Sequence, residues 1–227
     1  MKVIEPLVEV ENFDGLKIMK NIERAMRVCY RSEGLITDDS YKRLLKTAVE
    51  SGHGSIMEHE KISVLLHCSI NTYKDITRHR TGVAFSIEST RWCNYSKDKF
   101  DNNISFMNPV YITDKKNYEI WEKCMHEIES CYLRMAKNGA KPDELRTILP
   151  HSTAAEVYMT CNIREWRHIF KLRTTKRVHP EIRQCLIPLL LYFKQEMPVL
   201  FDDIEYDTDF PKEWYAKLTI MKGEVTK

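Results

Sequence analysis

Apolar residues recur at steps of three and four along much of the chain, which is the spacing of a helix with one buried face. Ile18, Ile22 and Cys29 follow this spacing and Asp14 is a suitable N-cap, which predicts a helix from Asp14 to about Tyr30. The same criteria, together with glycine and proline positions, predict further helices. They cover residues 41–51, 71–80, 113–138, 142–149 and 181–195, and another helix follows Asn162.

Alternation of apolar and polar residues predicts the strands. Ile62, Val64 and Leu66 occupy one side of the segment 60–70, so this strand has one face in a core. His67 lies on the more polar side, where a solvated or hydrogen-bonded histidine is more common than a catalytic one. Two other strands are predicted, over 104–107 and 154–161.

The composition is that of one well-cored domain, residues 1–227, and we expect an α+β fold with helices packed on an antiparallel sheet. Seven cysteines without a Cys-x-x-Cys pair argue against a disulfide framework and a zinc cluster, and indicate reduced thiols in the cytoplasm. Pro188 interrupts the longest apolar stretch, so we expect no signal peptide and no membrane span. A net charge of +2 is too small to imply a nucleic-acid partner.

Residues 78–96 have the wrong chemistry for a core and an unusual composition for a loop. Arg78, Arg80 and Arg91 can bind phosphate through forked hydrogen bonds, and the short polar side chains between them can complete such a site. A helix capped by Asn71 and ending at Arg80 would offer a simpler explanation, because basic residues complement the dipole of a helix C-terminus. That explanation accounts for one or two charges and not for the polar segment that follows.

The helix after Asn162 carries a second candidate. Trp166 and Phe170 belong to its apolar stripe, and the next step of three reaches Arg173. An arginine in that position must be buried with a partner or must face a ligand. Arg167 and Lys171 are expected to face water. Elsewhere, Arg146 lies among acidic and apolar residues, where a surface salt bridge is the simpler interpretation.

Three blocks of sequence together point to a known family. An Arg-His-Arg triplet at 78–80 is followed after eight residues by Ser89. Residues 162–168 read Asn-Ile-Arg-Glu-Trp-Arg-His, and residues 53–59 read His-Gly-Ser-Ile-Met-Glu-His. In this order the blocks resemble the signature segments of the flavin-dependent thymidylate synthases, and the resemblance spans roughly residues 14–183.

The resemblance implies roles for individual residues. It implies flavin contacts at Ser55, Arg78, His79, Arg80, Asn162, Arg164 and His168. It implies deoxyuridylate contacts at Glu88, Ser89, Thr90, Arg91, Arg146 and Arg173. Arg173 would also activate the pyrimidine near N3, and His53 would act beside the flavin in a site that Glu58 orders.

The same resemblance implies a reaction and an assembly. The enzyme would methylate dUMP to dTMP with 5,10-methylenetetrahydrofolate as carbon donor, and FAD reduced by NADPH would supply the hydride. The chain has seven glycines and no Gly-x-Gly-x-x-Gly motif, so a flavin cannot bind through a Rossmann turn. Members of the family bind flavin and substrate between the subunits of a homotetramer. Neither a cysteine nucleophile nor a metal is expected.

Ser89 is interpreted as a substrate ligand and not as a nucleophile. A serine nucleophile needs an adjacent base, and the nearby candidates are Glu88 and His79. Three positions depart from the family pattern: Asp75 where glutamine is frequent, Ile87 where glutamate or glutamine is frequent, and Trp92 where tyrosine is common. The first two are in doubt as ligands, and neither is assigned as one.

Two other functions compete with this one. The basic segment 162–183 could track the phosphates of a nucleic acid, with Trp166 available for base stacking, although Trp166 falls on the apolar stripe. His53, Glu58 and His59 could belong to a metal-dependent hydrolase, but their spacing is not that of His-Glu-x-x-His. Salt-dependent binding to generic RNA or DNA would favour the first, and metal analysis would test the second.

Overall fold

The computed structural model describes residues 1–221. Its strands form one sheet of five and one sheet of two. In pairing order, the larger sheet contains β4 (Val83–Ile87), β6 (Ala154–Asn162), β3 (Lys61–Ser69), β2 (Leu7–Val10) and β7 (Lys217–Ile220). The smaller sheet pairs β1 (Lys2–Ile4) with β5 (Ser105–Met107) in parallel.

The helices match most of the predicted segments to within a few residues. In chain order they are α1 (Gly15–Cys29), α2 (Ser40–Glu50), α3 (Ile70–Ile76), α4 (Lys115–Lys137), α5 (Pro142–Leu145), α6 (Ile163–Arg173), α7 (Pro180–Glu196) and α8 (Pro198–Phe201). The predicted caps of α1 and α6 are confirmed, because Asp14 and Asn162 accept hydrogen bonds from the backbone amides three residues later. None of the described helices is long and apolar enough to cross a bilayer.

The expected α+β class is confirmed, and the larger sheet is mixed. In the row β4, β6, β3, β2 each strand is antiparallel to its neighbour, as predicted, whereas β7 pairs with β2 in parallel. The residues that form β2, β4 and β7 were not predicted to be strands. These strands are four or five residues long, and such short runs carry little periodic signal.

One face of the larger sheet forms the main core. Ile62, Val64, Leu66 and Cys68 are all fully buried on that face, as their alternation predicts. The opposite face is polar, and there His67 Nε2 lies 2.8 Å from a Glu9 carboxylate oxygen. The prediction of a hydrogen-bonded His67 is therefore confirmed.

The Arg-His-Arg triplet does not lie on a helix, contrary to the prediction. Helix α3 begins after Ser69, whose hydroxyl accepts a hydrogen bond from the Thr72 amide, and it ends at Ile76. Ser69, and not Asn71, is the cap because its backbone amide and its hydroxyl both bind the buried Glu181 carboxylate, at 2.7 Å each. The earlier start and end place the triplet on a loop, so a helix dipole does not explain its charges.

Candidate functional site

The loop after α3 and the outer turns of α6 enclose a polar pocket. Its lining residues are Arg78, His79, Arg80, Thr81, Glu165, His168, Leu172 and Arg173. Four of the seven predicted flavin contacts meet here with Arg173, the predicted pyrimidine-activating residue. Two segments more than 80 residues apart in the chain thus form one site, because β4 and β6 are neighbours in the sheet.

Arg173 is held at two points of its guanidinium. Its Nε donates to His79 Nε2 over 3.2 Å, and its Nη2 donates to the backbone carbonyl of Asp75 over 3.0 Å. Within residues 1–221, Nη1 has no hydrogen-bond partner. A guanidinium fixed in this way has donors available to a ligand in the pocket.

His79 is buried beside the buried carboxylate of Glu165, and its Nδ1 lies 2.8 Å from Glu165 Oε1. Burial lowers the pKa of His79 below its usual value; Glu165 opposes this effect, while the positive charge of Arg173 and the neighbouring His168 add to it. The imidazole is therefore neutral at neutral pH. In that state one ring nitrogen donates and the other accepts.

His79, Glu165 and His168 place ligand atoms within 4.8 Å of one another. A metal ion needs a free nitrogen lone pair from each histidine. Both ring nitrogens of His79 already take part in hydrogen bonds, one of them to a cationic guanidinium. The arrangement therefore favours a hydrogen-bonded chain over a metal centre.

Arg78 and Arg80 are exposed at the pocket and neither forms an ion pair with any residue in the range 1–221. An exposed guanidinium keeps its hydration shell, so its charge carries little desolvation cost, and two guanidiniums on one loop create a local positive field. The loop therefore has the charge and the donors to bind an anionic group.

Gly82 and Asn162 join this loop to the start of α6. The Asn162 amide donates to the Gly82 carbonyl over 2.9 Å, and the Asn162 side chain caps α6. Gly82 has a φ of +69°, and a Cβ atom there would lie 2.3 Å from Asn162 Nδ2. Any other residue at position 82 would displace the side chain of Asn162, which is a predicted flavin contact.

We expect Gly82→Ala to destabilise the protein and to weaken flavin binding together. The positive φ and the displaced Asn162 side chain should lower the free energy of unfolding by about 1–3 kcal/mol. Gly139→Ala is the matched control, because Gly139 has a φ of +90° and open space around its Cβ position. Thermal unfolding and flavin titration of both variants measure the difference. Equal losses in the two variants would contradict the role of the Asn162 contact.

The sequence block at residues 53–59 packs on the first turn of α6. Arg164 Nη1 donates to Glu58 over 2.6 Å, with both side chains about half exposed, and a Cβ atom on Gly54 would lie 2.9 Å from Arg164 Nε. His53 and Ser55 flank Gly54 and are exposed. The structure thus brings the three sequence blocks together, and Glu58 pairs with the predicted flavin contact Arg164.

Apart from Arg173, which lines the pocket, the predicted nucleotide contacts form a second cluster beyond β4. The Glu88 carboxylate accepts from the Tyr95 hydroxyl at 2.8 Å, and Arg91 Nε lies 3.2 Å from an Asp143 oxygen. The hydroxyls of Ser89 and Thr90 make no hydrogen bond within the described part of the chain, and both residues are partly exposed. Among residues 1–221 no base contacts the Ser89 hydroxyl, as expected if Ser89 is a ligand and not a nucleophile.

Arg146 faces this second cluster. Burial raises the pKa of Tyr73, the Arg146 guanidinium opposes that effect and Glu88 adds to it, so both charges act on the Tyr73 hydroxyl. The salt bridge offered as the simpler interpretation of Arg146 is not present among residues 1–221. Tyr73 carried no sequence signal, since an aromatic residue on a short helix is usually a packing residue.

The strand β4, about 16 Å long over its five residues, lies between the two clusters. Arg80 precedes this strand and Glu88 follows it. Glu88 and Ser89 therefore lie beyond one end of β4 and the predicted flavin contacts Arg78 and Arg80 beyond the other, whereas the predicted nucleotide contact Arg173 lies on the flavin side.

Two residues of the segment 162–183 are not available to a nucleic acid. Trp166 is fully buried and its indole donates to the Ile62 carbonyl, so it cannot stack on a base. Arg167, which was expected to face water, is instead buried and forms a bidentate pair with Asp203 at 2.7 Å. Lys171 is exposed as expected and contacts the same carboxylate.

The profile of a family described as "Thymidylate synthase complementing protein" matches residues 16–199. The chain belongs to the flavin-dependent thymidylate synthase family. A flavin-dependent thymidylate synthase of Geobacter sulfurreducens is 26% identical over 186 residues, covering 79% of this chain and 78% of the relative. One of Pyrococcus abyssi is 30% identical over 157 residues, covering 68% of this chain and 63% of the relative's length.

A solved structure shows the same fold. The UMP/dUMP methylase PolB from Streptomyces cacaoi, bound with 5-Br dUMP, superposes with a TM-score of 0.70 at 22% identity. The alignment covers 89% of this chain and 96% of PolB. The profile match over residues 16–199 confirms the family expected from the three sequence blocks.

Proposed function

We propose that the protein methylates dUMP to dTMP, with 5,10-methylenetetrahydrofolate as carbon donor and FAD reduced by NADPH as hydride source. The proposal rests on the pocket in which two hydrogen bonds fix the Arg173 guanidinium. Arg78 and Arg80 line the same pocket and form no ion pair within residues 1–221. Family membership gives the reaction class, and the pocket gives this chain the groups that such a reaction needs. We assign the protein to the cytoplasm as a single domain, without a nucleic-acid or membrane partner.

The residues of the pocket fit a flavin. A flavin nucleotide carries an anionic phosphate portion and a ring that accepts hydrogen bonds, and Arg78 and Arg80 offer unpaired guanidiniums on an exposed loop. We assign Ser55, Asn162, Arg164 and His168 to the same cofactor, with His53 beside it as a catalytic residue. When bound, the flavin supplies the hydride, which no side chain can deliver.

Arg173 is the group we propose to activate the pyrimidine. Methylation at C5 requires electron density there, and a permanent positive charge near N3 or its neighbouring carbonyl stabilises the electron-rich form of the ring. Because the guanidinium is fixed by His79 and Asp75, it needs no reorganisation when the negative charge develops. Glu88, Ser89, Thr90, Arg91 and Arg146 would bind the rest of the nucleotide.

The cysteines support a mechanism without a thiolate nucleophile. Cys68, Cys161 and Cys185 are buried, and burial raises the pKa of each thiol. Burial also raises the pKa of Cys93, the cysteine nearest the predicted nucleotide contacts, and Glu88 raises it further. A thiolate is the reactive form of cysteine, so these environments disfavour covalent catalysis.

We also propose a homotetramer in which each site takes residues from two chains. The strand β4, about 16 Å long over its five residues, lies between the loop of Arg78 and Arg80 and the second cluster, which favours a nucleotide bridging the second cluster of one chain and Arg173 of another. Each cluster has an exposed apolar side chain beside it. Trp92, next to Arg91, is 80% exposed, and Leu172, next to Arg173, is 50% exposed. A neighbouring chain would cover them.

Mixing two inactive variants tests this arrangement. Arg91→Gln and Arg173→Gln chains should each be inactive alone, whereas a 1:1 mixture after subunit exchange should regain about a quarter of wild-type activity, because one site in four receives both arginines. Light scattering of each sample supplies the oligomeric state. A tetrameric mixture that stays inactive would show that both arginines of a site come from one chain.

The proposed reaction is tested by the visible absorption of the purified protein under anaerobic conditions. A flavin band that NADPH bleaches, at a rate that dUMP changes, would support the cofactor and the substrate together. Formation of dTMP after addition of the folate completes the assay. A protein that binds no flavin even after incubation with FAD would overturn the proposal.

A further inference from the structure

Glu165 is a buried acid whose role the family resemblance does not assign. It stands three residues after the N-cap Asn162, a spacing that predicts a capping box in which its carboxylate would accept from the Asn162 amide. That amide instead donates to the Gly82 carbonyl over 2.9 Å. Within residues 1–221 the only hydrogen-bond partner of the Glu165 side chain is His79.

Hydrogen-bond direction fixes the protonation of His79. An arginine Nε–H can only donate, so the 3.2 Å contact from Arg173 requires a lone pair on His79 Nε2. The proton of the neutral ring must then be on Nδ1, where it donates to the Glu165 carboxylate over 2.8 Å. A histidine carrying a proton on Nε2 would place two donors against each other.

We infer that Glu165 is a positioning residue that sets the His79 tautomer and thereby the orientation of the Arg173 guanidinium. The chain Glu165, His79, Arg173 ends on the Asp75 carbonyl, which accepts from Nη2 at 3.0 Å. Two of the three side chains, Glu165 and His79, are buried, so water does not replace a lost contact easily. The catalytic consequence of this inference rests on the proposed function. The tautomer follows from the hydrogen-bond geometry alone.

The groups around His79 agree with this assignment. Burial lowers the pKa of His79, the hydrogen bond to Glu165 acts in the opposite direction, and Arg173 and His168 act with burial. The His168 ring contacts His79 edge-on, with 5.5 Å between centroids. The neutral ring can therefore accept from Arg173 at neutral pH.

The test compares Glu165→Leu, which removes the acceptor, with Glu165→Gln, whose amide oxygen can still accept from Nδ1. Glu23→Gln is the control for loss of a buried carboxylate elsewhere, since Glu23 binds Arg27 and Ser40 and does not line the pocket. Ring-nitrogen NMR of protein labelled with ¹⁵N-histidine reads the tautomer directly. The His79 signals are those that disappear in His79→Gln.

We expect a protonated Nδ1 on His79 in the wild type, in Glu165→Gln and in Glu23→Gln, and a shift toward the Nε2–H form in Glu165→Leu. In the same variants kcat/KM for dUMP should fall about 10–100-fold in Glu165→Leu only, the usual cost of losing a partner that orients a functional histidine. The loss should be mainly in kcat. Activity recovered by Gln but not by Leu is a pattern that a purely structural role would not produce.

Two results would overturn the inference. One is an Nε2–H or doubly protonated His79 in the wild type at neutral pH. The other is a Glu165→Leu variant that remains folded with wild-type kcat/KM and an unchanged tautomer. Because the NMR measurement needs no turnover, a wild-type protein that forms no dTMP would overturn the proposed function and would leave the tautomer assignment to be decided separately.

Discussion

Arg173→Gln is expected to lower kcat for dTMP formation by about 10²–10³-fold, the range seen when one preorganised donor to a developing charge is removed. Glutamine keeps some hydrogen-bonding capacity but not the positive charge that stabilises the electron-rich pyrimidine. It also cannot span His79 and the Asp75 carbonyl at the same time, as the guanidinium does. The effect should therefore fall on the step at C5.

Flavin reduction by NADPH distinguishes a loss of pyrimidine activation from a general loss of structure in the variant. NADPH oxidation does not require an activated pyrimidine, so the Arg173→Gln protein should still bleach when NADPH is added. Release of tritium from dUMP labelled at C5 and dTMP formation should be lost together. Lys171→Gln on the same helix is the control, since Lys171 is exposed and pairs with Asp203 away from the pocket. An Arg173→Gln enzyme with normal tritium release would contradict the assigned role.

The double variant Arg78→Ala/Arg80→Ala is expected to lose its flavin. A hydrogen bond to a charged group contributes about 1.5–3 kcal/mol, so two lost guanidiniums should raise the Kd for FAD by roughly 10²–10⁴-fold. Both arginines are exposed and unpaired within residues 1–221, so their removal breaks no ion pair that the structure shows. The thermal stability of the apoprotein should stay close to that of wild type.

The matched control is Arg24→Ala/Arg43→Ala, which removes the same charge from exposed positions on α1 and α2 that do not line the pocket. Visible absorption of the purified proteins and fluorescence titration with FAD measure the difference. Weakened binding should also depend less steeply on salt, because fewer charges contact the phosphates. If both double variants retained flavin equally well, the triplet would not be the flavin site.

The sequence by itself determined most of the helices, the central strands and the family. The α1 and α6 caps, the alternation in β3 and the apolar stripe of α6 are local patterns, and each is set by the helix or strand period together with burial of one face. The stripe also identified Arg173 as a residue that needs a partner or a ligand. Three short blocks identified the family because such motifs are local in sequence.

Only the tertiary structure decided where those blocks meet. Short strands such as β4 and β7 are defined by their neighbours, and the start of α3 is set by the Ser69–Glu181 contact between segments 112 residues apart. The chain from Glu165 through His79 to Arg173 joins residues 86 and 94 positions apart. The acidic residue at the third position of α6 predicts a cap when the sequence alone is considered. Its actual partner is decided by which buried donor lies within hydrogen-bond distance, and that depends on how the sheet and the helices pack together.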